Sequence, residues 1–408
     1  MKKSLKLSVA VALALSSTAV YATNGVNLIG TSAKSRAMGG VGIGMPFGAD
    51  SGLPNPALIS SVENYEVSFG GTLFMPDVST TGLNEMTKTD SEADTFIVPE
   101  VGFAMKATDN FYWGVGMWGA SGLGVDYRND DTPADGTAQM VTNYQILQLV
   151  VPLTYKTGGL SLSVAPVLNY GALDSNWDDG SGGLGPFGTQ GAGVSQDLSW
   201  GANLGVAYQT GGLTVGAVYK SEIEMKYEGQ PALDTSGPAG TFIPDLVADR
   251  LDVPAEYGIG ASYVFGKHTI AADYKVIAYG DTTNWEQFGW DNQDVIALGY
   301  QFDAGKWALR AGYNYGKSPV QNQTEVMAMP PTPSVQNFFN SVGFPATVEQ
   351  HFTVGGTWNF NKTLGVDLAF TYAPEVDETF DVSLLGGSPE VETSHSQTAL
   401  TAGLTLKF

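Results

Sequence analysis

The chain of 408 residues holds three histidines, His268, His351 and His395, and no cysteine. Hydrolytic catalysis needs a base within hydrogen-bond reach of a nucleophile or an acid. None of the three histidines has an evident serine and carboxylate arrangement around it: His268 sits in a tight turn, and His351 and His395 sit where long polar connections give way to alternating runs. A lipid hydrolase is the rival from the enzyme class, and these positions argue against it; the chain reads as no enzyme. Two acidic stretches, DYRNDD (126–131) and NWDDGSGG (176–183), offer the hard oxygens that a divalent cation takes. Neither completes a twelve-residue calcium-loop pattern, so both read as a solvated rim, with no metal and no cofactor expected.

The other chemistry-bearing candidates are cations in alternating runs. Lys275 is opposite in parity to Tyr274 and Val276, and Arg310 to Leu309 and Ala311. Successive strand side chains point to opposite faces, so both cations face away from the apolar side, where either can pair with a carboxylate. Lys34 and Arg36 lie earlier, and Glu66, Glu100 and Asp273 are available as partners. Structural ion pairing is the favoured role.

The elements that must position these residues are strands. In SQTALTAGLTLKF, Thr398, Leu400, Ala402, Leu404, Leu406 and Phe408 share one parity, and polar or small residues share the other. The same period of two runs through Tyr65–Leu73, Leu198–Tyr208 and Leu364–Tyr372. Six connections are very short: TDN (108–110), TGG (157–159), TGG (210–212), GKH (266–268), DAGK (303–306) and NK (361–362). Seven long polar connections alternate with them, near 76–95, 126–143, 171–197, 228–254, 280–293, 316–350 and 373–396, which requires fourteen strands. An even strand number with turns at one end and loops at the other is the outer-membrane barrel pattern. Phe111, Trp113, Tyr208, Tyr263, Phe265, Trp307 and Phe408 beside the short turns suit an interfacial girdle.

The amino-terminal end sets the compartment. Lys2, Lys3 and Lys6 precede the apolar run Leu7 to Val20, and Val20-Tyr21-Ala22 supplies a cleavage site. This is a signal peptide, residues 1–22, removed after Ala22; its fourteen apolar or small residues fall short of the ~20 that a helical span needs. Of 19 Lys and Arg, three leave with the leader, so the mature chain sets 16 against 41 Asp and Glu. That balance excludes nucleic acid as a partner. Without cysteine, no disulfide staples the fold. About forty residues, 23–64, have no place in the wall and are too rich in glycine for an independent domain; they are expected inside the lumen as a plug, or hatch. They end in SGLPNPALIS, where Pro54 and Pro56 bracket Asn55 in a rigid corner.

At this point residues resemble a known family. ATNGVNLIGTSAKSRAMGGVGIGMPFGADSGLPNPALIS is similar to the hatch of the FadL/TodX/OmpP1 transporters of hydrophobic compounds, including the motif at Asn55, Pro56 and Ala57. WGASGLGVDY (118–127) resembles their third strand, and LRAGYNYGKSPV (309–320) a stretch in their C-terminal half. The resemblance implies an all-β fold, a fourteen-stranded antiparallel transmembrane barrel over 65–408 with the plug in its lumen. It implies passive transport of hydrophobic molecules, long-chain fatty acids first, with aromatic hydrocarbons as the alternative. Capture by the loops, an apolar pocket and sideways exit at a kinked third strand complete the implied route. Gly119, Gly122 and Gly124 are the residues for that kink, since glycine permits a bulge or weakens pairing. With a fatty acid as the cargo, Lys275 and Arg310 are the candidates to pair with its carboxylate.

Two loop clusters are candidates for ligand contact or for a lid: Phe242, Ile243 and Leu246, with Val247 and Leu251, and Phe338 and Phe339, with Val335, Val342 and Phe344. The expected location is the Gram-negative outer membrane, as a monomer. Its expected partners are the hydrophobic ligand, membrane lipid and lipopolysaccharide, and the barrel assembly machinery through Phe408. A general diffusion porin is the remaining rival; it requires an unblocked lumen.

Overall fold

A computed structural model describes residues 23–83, 88–128, 136–178, 189–191, 193–230, 236–237, 240–241, 243, 245–323, 332–385 and 388–408. The leader at 1–22, Phe242, and parts of the two acidic stretches (129–131 and 179–183) lie outside the described residues.

The wall is built of fourteen antiparallel strands: β1 (Tyr65–Thr80), β2 (Phe96–Lys106), β3 (Phe111–Asp126), β4 (Val141–Val150 with Leu153–Thr157), β5 (Leu160–Asp178), β6 (Ser195–Thr210), β7 (Leu213–Lys220), β8 (Glu256–Phe265), β9 (His268–Ile277), β10 (Gln293–Asp303), β11 (Trp307–Gly316), β12 (Gln350–Asn359), β13 (Leu364–Asp381) and β14 (Glu390–Lys407). β14 pairs back on β1 from Lys407–Glu66 to Thr393–Thr80, which closes the barrel. The Phe408 and Tyr65 rings stack at 4.6 Å over that seam.

Alternation decides which face meets lipid. On β6, Leu198, Trp200, Leu204, Val206 and Tyr208 all face outward, with Trp200 70 % exposed, while Asn203 and Ala207 are buried. A soluble protein does not display such a band around its whole circumference; a barrel in lipid does.

All six tight turns fall where the sequence places them. The long-loop ends differ. β13 runs on to Asp381 and β14 begins at Glu390, inside the stretch 373–396 expected as loop; a register shift between Ala373 and Val376 passes over Pro374 and Glu375. Bridges Ile223–Val253 and Lys226–Arg250 likewise continue the β7–β8 pairing into the 228–254 loop. Polar composition marks where a strand leaves the membrane, not where backbone pairing stops. β4 is interrupted at Val151-Pro152 because proline has no N–H for the ladder; Gly114 N donates to Pro152 O at 3.0 Å and keeps the two halves in line.

Residues 23–60 are buried or half-buried against the inner face of the wall, and Ser61, Glu63 and Asn64 are exposed where the chain joins β1. The segment forms a two-residue rung (Thr23–Asn24 with Asn27–Leu28), a short helix α1 (Ala33–Arg36) and two 3-10 turns, Gly48–Gly52 and Pro56–Ser61. Ser32 caps α1 by accepting from Ser35 N. Toward the long loops the interior is apolar. Helix α2 (Thr332–Phe338), with the following turn Phe339–Gly343, buries Phe338 and Phe339 among Trp285, Trp290, Tyr144 and Tyr279. The Trp285 and Trp290 rings lie 4.4 Å apart. Ile243 is buried in the same cluster and Leu246 packs against it. The loop clusters therefore fold onto one another and onto the wall as a cap.

Candidate functional site

The feature that sets one part of the wall apart is a break between β2 and β3. Their ladder runs from Lys106–Tyr112 to Glu100–Trp118, and no further pair joins them among the described residues. Beyond that point β2 stays paired with β1 up to Phe96–Phe74, and β3 stays paired with β4. A bulge between Gly119 and Ser121 skips Ala120 and turns β3 away from β2. Higher up, Glu92 N donates to Asp126 O at 2.9 Å and Asp126 N to Ser91 Oγ at 3.0 Å, so the break is a window with an upper edge.

The interior segment reaches this window. Asn27 takes the rung opposite Ser121, Ser121 Oγ donates to Asn27 Oδ1 at 2.7 Å, and Gly122 N donates to Val26 O at 2.9 Å. Gly124 has a steric reason of its own: a Cβ there would sit 2.1 Å from Thr142 O.

Behind the window lies a cavity of about 70 Å³ whose lining includes Asn27, Ala120, Ser121, Lys220, Glu256 and Lys275. Glu256 accepts from Lys220 at 2.7 Å and from Lys275 at 3.0 Å, all three largely buried. An ammonium has three donors, and each lysine spends one on Glu256. Asp273 lines the same cavity but is taken up by three backbone donors, Gly42 N (2.6 Å), Ile43 N (2.8 Å) and Gly44 N (3.3 Å). Arg310 is elsewhere. It donates to Gln301 Oε1 at 2.7 Å and to Thr357 Oγ1 at 2.6 Å and lines a separate polar cavity toward the short turns, with Lys34, Glu66 and Asp367. The two cations singled out by parity thus part company, and only Lys275 stands near the window.

Asn55, Pro56 and Ala57 tie the interior segment to β4 and β6, toward the short turns. Asn55 is fully buried; its Nδ2 donates to Ile43 O (2.8 Å) and Val206 O (3.2 Å), and its Oδ1 accepts from Ala57 N (3.1 Å). Pro56 O accepts from Thr154 Oγ1 at 2.9 Å. Ion pairs add to this: Arg36 pairs with Glu100 at 2.9 Å and Lys34 with Asp367 at 3.8 Å on the wall, and Lys34 with Asp50 at 3.3 Å within the segment. His268 meets the Tyr300 hydroxyl at 2.7 Å at the barrel's outer rim. Among the described residues no group of three or more His, Cys, Asp or Glu is placed to hold a metal.

Sequence reasoning missed Lys220, Glu256 and the Asn27–Ser121 contact. Parity carried a signal for the first two, since Lys220 follows outward Tyr219 and Glu256 precedes outward Tyr257. Nothing in the sequence announced that Asn27 would stand at the window.

Known proteins bear on the same architecture. A long-chain fatty acid transport protein of Salmonella typhi is 24% identical over 429 residues, covering 90% of this chain and 91% of its own. The crystal structure of a Pseudomonas aeruginosa FadL homologue superposes with a TM-score of 0.71 at 15% identity, covering 94% of this chain and 100% of that one. The toluene transporter TodX of P. putida gives 0.67 at 19% identity, with 94% and 99% covered. Residues 12–408 match the family described as outer membrane protein transport protein (OMPP1/FadL/TodX). The chain belongs to that family: it is an outer-membrane β-barrel that transports hydrophobic compounds, and not an enzyme.

Proposed function

We propose that the protein carries long-chain fatty acids passively from the loop-side cap, past residues 23–64 acting as a plug, and out sideways between β2 and β3. The observation that carries this reading is the window, bordered by the Gly119–Ser121 bulge and lined on its inner side by a cavity with two lysines. Sideways exit has an energetic reason. Each methylene moved from an apolar site into water costs about 0.8 kcal/mol, so a long acyl chain crosses more readily into the membrane than down a wet lumen. Lys220 and Lys275 have donors to spare for a carboxylate, which assigns them the role of carboxylate partners, while Arg310 serves the plug-bearing wall. A cavity of about 70 Å³ is far below the ~300–1,000 Å³ of pockets that enclose small ligands. Passage therefore requires the plug to yield. The curated relatives named as long-chain fatty acid transport proteins support this cargo. The filled lumen speaks against a diffusion porin.

An aromatic hydrocarbon is the second reading, favoured by the Tyr279, Trp285 and Trp290 rings inside the cap. Uptake by cells that lack their own transporter separates the two. Lys220→Met and Lys275→Met, made together with Glu256→Gln so that no enclosed carboxylate is left unpaired, are expected to lower oleate uptake at least tenfold and leave toluene entry unchanged. Equal loss of both cargoes, with the barrel intact, overturns the carboxylate role. A monomeric barrel, assembled into the outer membrane by way of Phe408, completes the proposal.

A further inference from the structure

We propose that the amine created at Thr23 by removal of the leader is itself a bound group, seated among polar side chains of the wall that hold the start of the plug. The proposal rests on cleavage after Ala22. Thr23 and Asn24 are 2 % and 1 % exposed, so the chain at this point is enclosed.

The seat can be read atom by atom from one carbonyl. Pro345 O only accepts, so His395 Nδ1, 2.7 Å away, carries the hydrogen and its Nε2 is an acceptor. Gln397 must then turn its amide nitrogen to His395 Nε2 (3.1 Å), which aims Gln397 Oε1 at Thr23 N and at His351 Nε2, each 3.2 Å away. His351 Nε2 is therefore the donor of that ring, and Nδ1 is left as an acceptor. That Nδ1 is enclosed and has no partner among the described residues.

Two neighbours repeat the pattern. Asn314 stands opposite His351 in the β11–β12 ladder, and its Nδ2 donates to Gly39 O at 3.0 Å. Gln293 Nε2 donates to Lys317 O at 2.8 Å; a Cβ placed on Gly316 would lie 3.2 Å both from this nitrogen and from Asn24 Oδ1. With both amide nitrogens fixed on carbonyls, Asn314 Oδ1 and Gln293 Oε1 are acceptors, and both are enclosed without a donor among the described residues. A peptide nitrogen at Thr23 has a single hydrogen, and Gln397 takes it. An amine brings at least one hydrogen more, and an ammonium two, into a region of the lumen where acceptors outnumber donors. The seat also bears on the window: Tyr279 Oη donates to Asn24 O and accepts from Val26 N, both at 2.9 Å, so a fixed terminus holds Val26 and Asn27 against β3.

The experiment is amine accessibility in the intact protein. Intact mass fixes the first residue; a start other than Thr23 removes the cleavage reading and this inference with it, while leaving the transport route standing. With Thr23 first, the native protein in detergent is treated near pH 7 with acetyl N-hydroxysuccinimide, and the N-terminal peptide is quantified. Acetylation at Thr23 is expected to be at least about tenfold slower than in the heat-unfolded protein, because reaction waits on local opening. Gln397→Leu, and separately Gly-Ser inserted before Thr23, should both restore fast acetylation while the protein keeps the gel mobility of a folded barrel. Native and unfolded rates that agree, or slow acetylation that survives both changes, would overturn the proposal.

Discussion

Replacing Asn55 by alanine tests how the plug is held. The side chain makes three hydrogen bonds in a fully enclosed place, to Ile43 O, Val206 O and from Ala57 N. Each is worth about 1 kcal/mol net, and the partners left behind in the interior lose further, so Asn55→Ala should weaken the folded, seated plug against its released and unfolded state by about 3 kcal/mol. At 1.4 kcal/mol per tenfold, that moves the docking equilibrium by a factor of about 150. Of the three bonds only that to Val206 O reaches the wall, and β6 is held there by its own pairing with β5 and β7. Barrel assembly should therefore be untouched. Three readouts separate the outcomes: heat-dependent gel mobility for the barrel, protease sensitivity of 23–64 and bilayer conductance for the plug, and fatty-acid uptake for function. Expected are normal mobility, cleavage within 23–64, raised conductance and impaired uptake. Asn55→Asp, which keeps the acceptor for Ala57 N but sets a carboxylate oxygen against Ile43 O and Val206 O in an enclosed place, should be at least as damaging as alanine. Loss of folded barrel in proportion to uptake would reduce the motif to a folding device, and unchanged conductance and protease resistance would refute the hydrogen-bond accounting.

Deleting Ala120 removes the residue that the β3–β4 register skips; it should straighten β3, extend its pairing with β2 and cut uptake at least tenfold with normal gel mobility, whereas normal uptake would take the exit away from this window. Arg36→Met leaves Glu100 enclosed without its 2.9 Å partner, which should cost about 3–5 kcal/mol of plug stability, read as protease sensitivity of 23–64. Adding Glu100→Gln should recover part of that loss, and a double variant as sensitive as the single one would mean that the pair is not what anchors α1.

How much of this was legible follows from what each pattern constrains. The period of two and the alternation of tight turns with long loops fix strand number and facing, because lipid on one side and a packed lumen on the other leave no latitude in parity. Parity also sent Lys275 and Arg310 inward, but it says nothing about height along the barrel, and height decides that Lys275 stands near the window while Arg310 stands toward the turns. Strand ends beyond the membrane were misjudged at 373–396 because water tolerates either a paired ribbon or a loop there. Pro152 was a visible sign of the break in β4 that the alternating pattern around it concealed.

The glycine content of 23–64 has a physical meaning that composition alone left open. Gly44 comes so close to β8 that a Cβ would lie 2.3 Å from Ala261 N, and at Gly39, whose φ of +72° already disfavours other residues, a Cβ would lie 2.6 Å from Tyr313 O. The wall answers with its own glycines: a Cβ at Gly216 would lie 2.0 Å from Ile43 O, and at Gly312 2.0 Å from Gly39 N. Backbone therefore lies against backbone, and the segment is held by side chains that reach its peptide groups, such as Asp273 on Gly42, Ile43 and Gly44. The apolar contacts of α1 and the Asn55 corner with the wall are small, Ala33 and Ala37 with Ala369, and Ala57 and Leu58 with Ala207. Larger side chains add to these: Met38, Val41, Met45 and Phe47 bury against Ala271 and Ala297, and Ile59 and Val62 against Ala104 and Tyr112, so apolar burial and hydrogen bonds both hold the segment. A plug bound in this way gives up, on release, hydrogen bonds that water can replace and apolar contacts that a hydrophobic cargo can replace, which suits a cavity that must be closed between passages and open during them.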